Sequence, residues 1–273
     1  MVVLDLSNHD YSTFDPACLA RTVERVIVNC WDRGITRDIV LRSRAYGIDA
    51  EDLYCYLYFG QQWEQREVEN AVALIADIGG IKRVWLDVEA DPPNEIVGMT
   101  TAGRVAAIDR ALATLPTSVQ PGIYTYGPYW VGQMNSSVRY RHLPLWYANY
   151  GTNDPKAPRG PIQAVNFGGW SAVSVHQYSS TIEVCGRGRD HNYWFIPEGE
   201  VGMSDDDLLA IFAGGEEKGP DGNLLDRDER LRRARFRRDE AAAGRAPSVR
   251  ELAARASGAT VPDHIHHAGE VIR

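Results

Sequence analysis

Residues 53–89 indicate the class of fold most clearly, because they contain a strand, a helix and a second strand in succession. LYCYLYF (53–59) is the mixture of aromatic and aliphatic residues that favours a β-strand. EQREVENAVALIADI (64–78) has its apolar residues at helical spacing. RVWLDVE (83–89) returns to strand composition and ends in two carboxylates. This succession predicts two parallel strands joined by a crossover helix.

The alternation of strand and helix extends over residues 1–198. Eight candidate strands, rich in Val, Ile, Tyr and Trp, lie at 2–7, 25–30, 53–59, 83–89, 122–126, 143–148, 163–167 and 173–178. Candidate helices separate the first six strands, at 16–24, 37–45, 64–78, 101–115 and 128–134. Short connections rich in Pro and Gly separate the last three strands. Because eight strands can close a sheet on itself, we predict an α/β fold, an irregular TIM-like barrel.

The composition changes after Pro197. Residues 199–273 contain a helix-capping signal at 204–207, a strongly charged helical stretch at 226–243 and few large apolar residues. Such a segment is typical of small helices, docked or partly flexible, rather than of a second core. We therefore divide the chain into a barrel over residues 1–198 and a helical, charged C-terminal segment over residues 199–273, to which the sequence assigns no role.

The overall composition narrows the function classes. The chain has 273 residues, of which 44% are hydrophobic and 24% charged, and its formal net charge is −8. A negative chain is not drawn to nucleic acid or to an anionic membrane by bulk charge, so we expect neither partner. The chain has 13 Tyr and 7 Trp against 6 Phe. Tyr and Trp carry a polar group on the ring, so they favour solvent-accessible clefts over apolar cores.

The N-terminus and the cysteines indicate the cellular compartment in which the chain is made. MVVLDLSNHD lacks the basic and apolar regions of a secretory signal, and no stretch has the roughly 18 apolar residues of a membrane span. Cys18, Cys30, Cys55 and Cys185 show no CxxC spacing, so buried free thiols are favoured over disulfides or metal ligands, with a Cys30–Cys55 contact as a minor alternative. We expect a chain made in a cytoplasm and not inserted in a membrane.

Residues that could carry chemistry project from the carboxyl ends of parallel barrel strands. Those residues are Asp5, Ser7, Tyr56, Tyr58, Asp87, Glu89, Tyr124, Tyr126, Trp146, Tyr147 and Gln177, with Asp190 just beyond the eighth strand. The sequence therefore predicts four carboxylates and a ring of aromatic side chains at one mouth.

VWLDVEAD (84–91) is the most informative motif. Strand period two places Asp87 and Glu89 on the same face. Two neighbouring carboxylates repel each other's ionisation, which raises one pKa and gives a proton donor beside an anion, as glycosidic cleavage requires. The alternative is a pair of surface carboxylates that cap the following loop. Their position after a buried type of strand favours the catalytic interpretation.

The other candidates also have structural alternatives. Asp5 could cap a helix, Asp190 could pair with Arg187 or Arg189, and the aromatic rings could fill the core. The position of the rings beside acids favours a sugar-binding platform, because sugar rings bury their C–H faces on aromatic side chains. The sequence has no GxGxxG, P-loop or GxSxG motif, so we expect no cofactor. We expect no metal either, since the histidines at 264–267 are typical of a solvated tail.

Several motifs together resemble one known family. DLSNHD (5–10), VWLDVE (84–89), GIYTYGPYW (122–130), LWYANYG (145–151), VHQYSS (175–180) and GRDHNYW (188–194) occur in the order found in glycoside hydrolase family 25, the Chalaropsis-type lysozymes. The resemblance covers residues 1–196. It departs at His9-Asp10, where family members usually carry Gln, and at NCWDRG (29–34), which replaces an ATEG-like turn.

The resemblance implies a (β/α)5β3 barrel that hydrolyses the β-1,4 bond between N-acetylmuramic acid and N-acetylglucosamine in peptidoglycan. It implies that Glu89 is the general acid and base and that Asp87 orients the substrate's N-acetyl group. Asp5 and Asp190 would hold the acid's hydrogen bonds and help to set its pKa. The sugar-binding candidates are Tyr58, Tyr124, Tyr126, Trp146, Tyr147, Gln177 and Asn192.

We therefore expect a phage-type lysin, either an endolysin released through a holin-type pore or a lysin carried on the virion. Two alternatives stay open. One is a non-catalytic barrel kept as a wall-binding or virion structural module, against which the four carboxylates argue. The other is a barrel glycosidase that acts on chitin or another glycan.

Overall fold

The computed structural model describes residues 2–90, 98–150 and 165–195, which form a closed eight-stranded barrel. The strands are β1 (Val2–Leu6), β2 (Arg25–Asn29), β3 (Asp49–Tyr56), β4 (Arg83–Asp87), β5 (Gln120–Thr125), β6 (Leu145–Ala148), β7 (Val175–Val184) and β8 (Arg187–Trp194). The helices are α1 (Pro16–Leu19), α2 (Arg33–Ala45), α3 (Arg66–Ile78), α4 (Thr101–Thr114) and α5 (Gly127–Gln133), with a 3-10 helix at Asn8–Thr13. The predicted α/β barrel is confirmed.

Each strand pairs with its neighbours in chain order. Strands β1 to β7 are parallel, whereas β8 runs antiparallel to both β7 and β1 and closes the barrel. Helices connect the first six strands. Part of the connection between β6 and β7, at 151–164, and the predicted C-terminal segment lie outside the described residues. None of the helices within the described ranges has the length and apolar content needed to cross a membrane.

The last two strands differ from the prediction. Residues 165–167 of the expected seventh strand are not in a strand, and 163–164 lie outside the described residues. Strand β7 extends to Val184, and the polar run RGRDHNYW (187–194), expected to follow the last strand, forms β8. Cys185 and Gly186, both with positive φ, turn the chain between them. Pairing on both edges stabilises β8 despite its polar composition.

The core has two layers, one inside the barrel and one between strands and helices. Inside the barrel the ring centroid of Trp85 lies 5.8 Å from that of Trp146 and 6.1 Å from that of Trp194, both edge to face. A Cβ atom on Gly122 would collide with the Trp85 ring, so this position needs glycine. Thr100 is the N-cap of α4, because its hydroxyl accepts from the Gly103 amide.

The expectation of four free thiols is wrong for two cysteines. Cys18 in α1 forms a disulfide with Cys185 in the β7–β8 turn, although the two are 167 residues apart in sequence. Cys30 and Cys55 are free and buried, as expected. Barrel closure brings the first helix beside the last hairpin, and sequence spacing contains no trace of that contact.

Candidate active site

Two adjoining depressions lie at the carboxyl ends of the parallel strands. The larger, of about 520 Å³, is lined by Asp87, Glu89 and several aromatic side chains. The smaller, of about 210 Å³, is lined by Asp5 and Asp190. Ser7, His9 and Tyr54 line both depressions. The structure therefore brings the four predicted carboxylates to one mouth.

Asp5 and Asp190 face each other directly across the β1–β8 pairing. Asn192 Nδ2 donates to Asp5 Oδ1 at 2.7 Å, and Gln177 Nε2 donates to Asp5 Oδ1 at 3.1 Å and to Asp190 Oδ2 at 3.4 Å. Burial raises the pKa of Asp5 well above its ordinary value, and the charge of Asp190 raises it further. Burial also raises the pKa of Asp190. The pair therefore holds a proton at pH values where an isolated aspartate is ionised.

Gln177 links this pair to the aromatic side chains. Its Oε1 accepts from the hydroxyls of Tyr124 at 2.9 Å and Tyr150 at 2.7 Å. Because both hydroxyls donate to the oxygen, the amide nitrogen is directed towards the two carboxylates. Asn192 is oriented in a similar way, since its Oδ1 accepts from the indole of Trp146 at 2.7 Å.

The alternatives considered for Asp5 and Asp190 are resolved by the neighbouring contacts. Ser7, not Asp5, caps the 3-10 helix, in a reciprocal capping box with Asp10. Arg189 forms its salt bridge with Asp10 rather than with Asp190. Both aspartates are therefore directed at the mouth, among amide donors.

Asp87 and Glu89 are held by the strands on either side of β4. Asp87 is the last residue of the strand, and its carbonyl accepts from the Leu57 amide at 3.2 Å. The carbonyl of Val88 accepts from the Thr125 hydroxyl at 2.7 Å. Val88 is fully buried between the two acids, as strand alternation requires. The negative charge of Glu89 contributes to the raised pKa values of Tyr124 and Asp190, so the two halves of the site interact electrostatically.

The predicted sugar-binding residues have different positions. Tyr58 lines the larger depression. Asp5 accepts hydrogen bonds from Gln177 and Asn192. Tyr124 acts on Asp5 indirectly, because its hydroxyl donates to Gln177. Tyr126 precedes α5 and packs 5.9 Å from Tyr129, measured between ring centroids.

Trp146 and Tyr147 are consecutive in β6, so they point to opposite faces. Trp146 packs inside the barrel with 1% of its surface exposed. Tyr147 packs outside it, with its ring centroid 5.4 Å from that of Phe167. The structure therefore places neither ring on the lining of the two depressions.

Several lining residues were missed by the sequence reasoning. In the larger depression they are Asn8, His9, Asn29, Trp31, Tyr54, Trp63 and Glu67. Asn29 ends β2, so the rule applied to the other strands could have found it. Glu67 shares a helix face with Ala71 and Leu74, and a lone acid on an apolar face was the available signal. Within the described ranges no cluster of His, Cys, Asp or Glu side chains is arranged to hold a metal ion.

A closed α/β barrel with acids and aromatic rings at the carboxyl end of its strands is an arrangement typical of barrel glycoside hydrolases. The chain also matches the sequence profile of glycosyl hydrolases family 25 over residues 35–187. It belongs to this family.

Relatives in sequence agree with this assignment. The probable GH family 25 lysozyme 3 of Dictyostelium discoideum is 30% identical over 196 residues, which is 69% of this chain but 39% of that protein. Probable GH family 25 lysozyme 5 of the same organism is 25% identical, over 62% of this chain and 79% of its own length.

Two solved structures share the fold. The bacterial lysozyme of Streptomyces coelicolor has a TM-score of 0.52 and 18% identity, covering 72% of this chain and 93% of its own. A family 25 glycosyl hydrolase of Bacillus anthracis has a TM-score of 0.57 and 10% identity, covering 72% and 90%.

Proposed function

We propose that the chain is a peptidoglycan hydrolase that cleaves the β-1,4 bond between N-acetylmuramic acid and N-acetylglucosamine. Its catalytic unit would be a (β/α)5β3 barrel over residues 1–198. The observation that carries the proposal is the convergence of Asp5, Asp87, Glu89 and Asp190 on one mouth lined with aromatic rings. Family membership supports glycosidic cleavage rather than other carboxylate chemistry.

Glu89 is the proposed general acid and base. It lies in the loop after β4, partly exposed at the larger depression, where a glycosidic oxygen could reach it. Glu89 would donate its proton to the leaving oxygen as the bond from that oxygen to the sugar's anomeric carbon breaks. It would then accept a proton from the water that attacks the same carbon, which restores the acid.

Asp87 is the proposed partner of the substrate's N-acetyl group. It is 6% exposed, and its backbone is held by β3, so its carboxylate has little freedom to move. The carbonyl oxygen of the N-acetyl group would attack the anomeric carbon as the glycosidic bond breaks, and Asp87 would orient that group and stabilise the positive charge it acquires. The attacking water would then bond to the anomeric carbon as the bond from the carbonyl oxygen breaks, which restores the N-acetyl group. The aspartate pair at positions 5 and 190 would set the electrostatic potential beside Glu89.

The bond cleaved can be identified from the products. Purified peptidoglycan digested with the protein, then reduced with borohydride and hydrolysed, is expected to give muramitol as the new alcohol. Glucosaminitol would instead indicate cleavage of the other glycosidic bond in the wall. New amino groups without new reducing ends would indicate an amidase, and no products on several walls would favour a non-catalytic wall-binding or virion structural barrel. Products from chitin alone would indicate a glycosidase for another glycan.

The biological setting is also a proposal. We propose a phage-encoded lysin, made in the host cytoplasm, that acts on the bacterial wall either as an endolysin released with a holin or as a virion-associated lysin. Residues 199–273 would serve to target it. A chain truncated after Gly199 is then expected to keep its specific activity on soluble glycan fragments and to lose binding to walls or virions. If the truncated chain bound walls or virions as well as the full chain does, residues 199–273 would not be a targeting segment.

A further inference from the structure

Glu67 is a buried acid that the proposed reaction does not use. It lies in the first turn of α3, is 1% exposed, and lines the larger depression. Its carboxylate accepts three hydrogen bonds, from Asn29 Nδ2 at 2.9 Å, from the Tyr56 amide at 2.8 Å and from the Tyr58 hydroxyl at 3.0 Å. A single carboxylate thus fixes the carboxyl ends of β2 and β3, and also Tyr58, two residues beyond β3.

Two of the residues that Glu67 holds, Tyr56 and Tyr58, belong to an aromatic wall, which we define as Trp31, Tyr56, Tyr58 and Trp63. The Tyr58 ring is central, with its centroid 4.5 Å from that of Tyr56, 5.6 Å from that of Trp31 and 6.2 Å from that of Trp63. Tyr56 also reaches the proposed acid, because its hydroxyl donates to the carbonyl of Glu89 at 3.3 Å. The aromatic wall and the Glu89 loop therefore share one support.

The same helix fixes the far end of the aromatic wall. The guanidinium of Arg66 lies 4.1 Å from the centre of the Trp31 ring. Asn70 Nδ2 donates to the carbonyls of Cys30 at 2.8 Å and Trp31 at 3.1 Å. The first two turns of α3 thus brace the loop after β2 from behind and leave the partly exposed rings of Trp31 and Trp63 on the depression side.

Burying an acid at this position is unfavourable in free energy, and packing of the helix face alone does not explain why an acid is there. Val68, Ala71 and Leu74 fill the buried face of α3 with apolar groups, and Glu67 interrupts them. Removing a carboxylate from water is unfavourable, and burial raises the pKa of Glu67 to about 7. The three hydrogen bonds accepted by Glu67 offset part of this unfavourable burial, and each of them orients a group at the depression.

We propose that Glu67 is a positioning residue that holds the aromatic wall in the orientation that takes a pyranose ring of the glycan next to Glu89. The proposal rests on the proposed function for the identity of the ligand. Glu67 acts through Tyr58 and Tyr56, and it does not touch the reacting atoms. Its loss is therefore expected to weaken sugar binding more than it slows the chemical step.

The test measures binding without turnover. The wild-type chain, Glu67→Ala, Glu67→Gln and the matched control Glu69→Gln are titrated with an N-acetylglucosamine tetramer, and Kd is obtained from tryptophan fluorescence and calorimetry. Glu69 lies in the same helix turn but is exposed. Because Glu67→Ala leaves the three donors without their acceptor, its Kd is expected to rise about tenfold. Glu67→Gln retains an acceptor oxygen and is expected to stay within about threefold, and the control is expected to be unchanged.

Turnover on solubilised peptidoglycan gives the second readout. In Glu67→Ala we expect KM to rise about tenfold and kcat to change by less than about threefold. A folded Glu67→Ala variant with unchanged Kd and KM would overturn the proposal, as would a fall in kcat with Kd unchanged. If Glu67→Ala does not fold, Tyr58→Phe removes only the hydroxyl donor, and it is expected to raise Kd about threefold. No rise in that variant would also overturn the proposal.

The outcomes separate this proposal from the proposed function. Tetramer binding by the wild-type chain without new reducing ends in peptidoglycan would contradict the proposed hydrolysis, while the Kd series would still decide the role of Glu67. No binding of the tetramer by an active wild-type chain would overturn the assignment of the aromatic wall as a sugar site.

Discussion

Among single residues, Asp5 lowers the stability of the folded protein when its carboxyl group is ionised. Its pKa is raised by burial and by the charge of Asp190, so the folded state holds this proton more tightly than the unfolded chain does. The stability that the group contributes is therefore present at low pH and is lost as the pH rises through the folded pKa. An asparagine at this position cannot lose a proton and can still accept from Asn192 and Gln177.

We therefore expect Asp5→Asn to be more heat-stable than the wild type at pH 7.5, by about 2–4 °C, and to show no gain at pH 4. Its activity should fall by about a hundredfold or more, because the aspartate pair then cannot adjust its charge beside Glu89. Thermal unfolding at the two pH values checks the first statement. Equal stability changes at both pH values would show that the proton on this pair is not what limits stability.

The residue scale also shows what the sequence could and could not predict about the site. Asp87 and Glu89 were predictable because a D-x-E motif at the carboxyl end of a predicted strand brings both acids to the mouth, although β4 itself ends at Asp87 and Glu89 lies in the following loop. Glu67 was not predicted, since an acid in a helix is usually solvated. Its place on the apolar face of the helix was the only local signal, and the three donors that make its burial possible, from β2, from β3 and from Tyr58 two residues beyond β3, cannot be identified from the helix sequence.

At the element scale, the β7–β8 hairpin carries much of the site. It supplies Gln177, Asp190 and Asn192, and the Cys18–Cys185 disulfide ties its turn to α1. A cross-link between residues 167 apart in sequence removes a large amount of conformational entropy from the unfolded chain.

Reduction of this disulfide is expected to lower the free energy of unfolding by about 3–5 kcal/mol. Denaturant unfolding with and without reductant measures the difference. The double variant Cys18→Ser/Cys185→Ser is the matched control, and it should unfold like the reduced protein and not respond to reductant. If reductant destabilised the double variant equally, the effect would not arise from this bond.

The hairpin also explains the failures of prediction among the elements. Strands β1 to β6 have apolar or aromatic runs, and their predicted positions agree with the structure to within a few residues. Strand β8 has Arg, Gly, Asp and His in five of its eight positions, so its composition resembles a loop. What makes it a strand is pairing with β1 and β7, and the first of these partners lies at the other end of the barrel sequence.

In the whole molecule, the residues proposed for catalysis and a buried ionic cluster that stabilises the fold lie at opposite ends of the barrel. The carboxyl ends of the strands carry the site, whereas the opposite end is closed by an ionic cluster around Asp52, which is fully buried. Arg25 Nη1 lies 2.7 Å from Asp52 Oδ2, and Arg83 Nη1 lies 3.9 Å from Asp52 Oδ1. The guanidinium of Arg25 also lies 4.3 Å from the centre of the Trp194 ring.

Asp52→Ala is expected to cost about 3–5 kcal/mol of stability, because it breaks the buried ion pairs of Asp52 with Arg25 and Arg83. Activity per folded molecule, measured well below the melting temperature, should stay within about twofold, since the cluster does not reach the mouth. The matched control is Asp77→Ala, which breaks an exposed pair with Arg37 and should cost less than about 1 kcal/mol. A large loss of activity in folded Asp52→Ala would contradict this separation.

The central claim is that the mouth of this barrel cleaves a glycosidic bond with Glu89 as the acid. Its most direct test is the release of reducing ends from purified peptidoglycan by the wild-type chain, Glu89→Gln and the exposed control Glu69→Gln, each with its fold checked by circular dichroism. We expect Glu89→Gln to lose about 10²–10⁴-fold in rate while remaining folded, and the control to keep full activity. Reducing ends released at the wild-type rate by folded Glu89→Gln would show that Glu89 is not the acid.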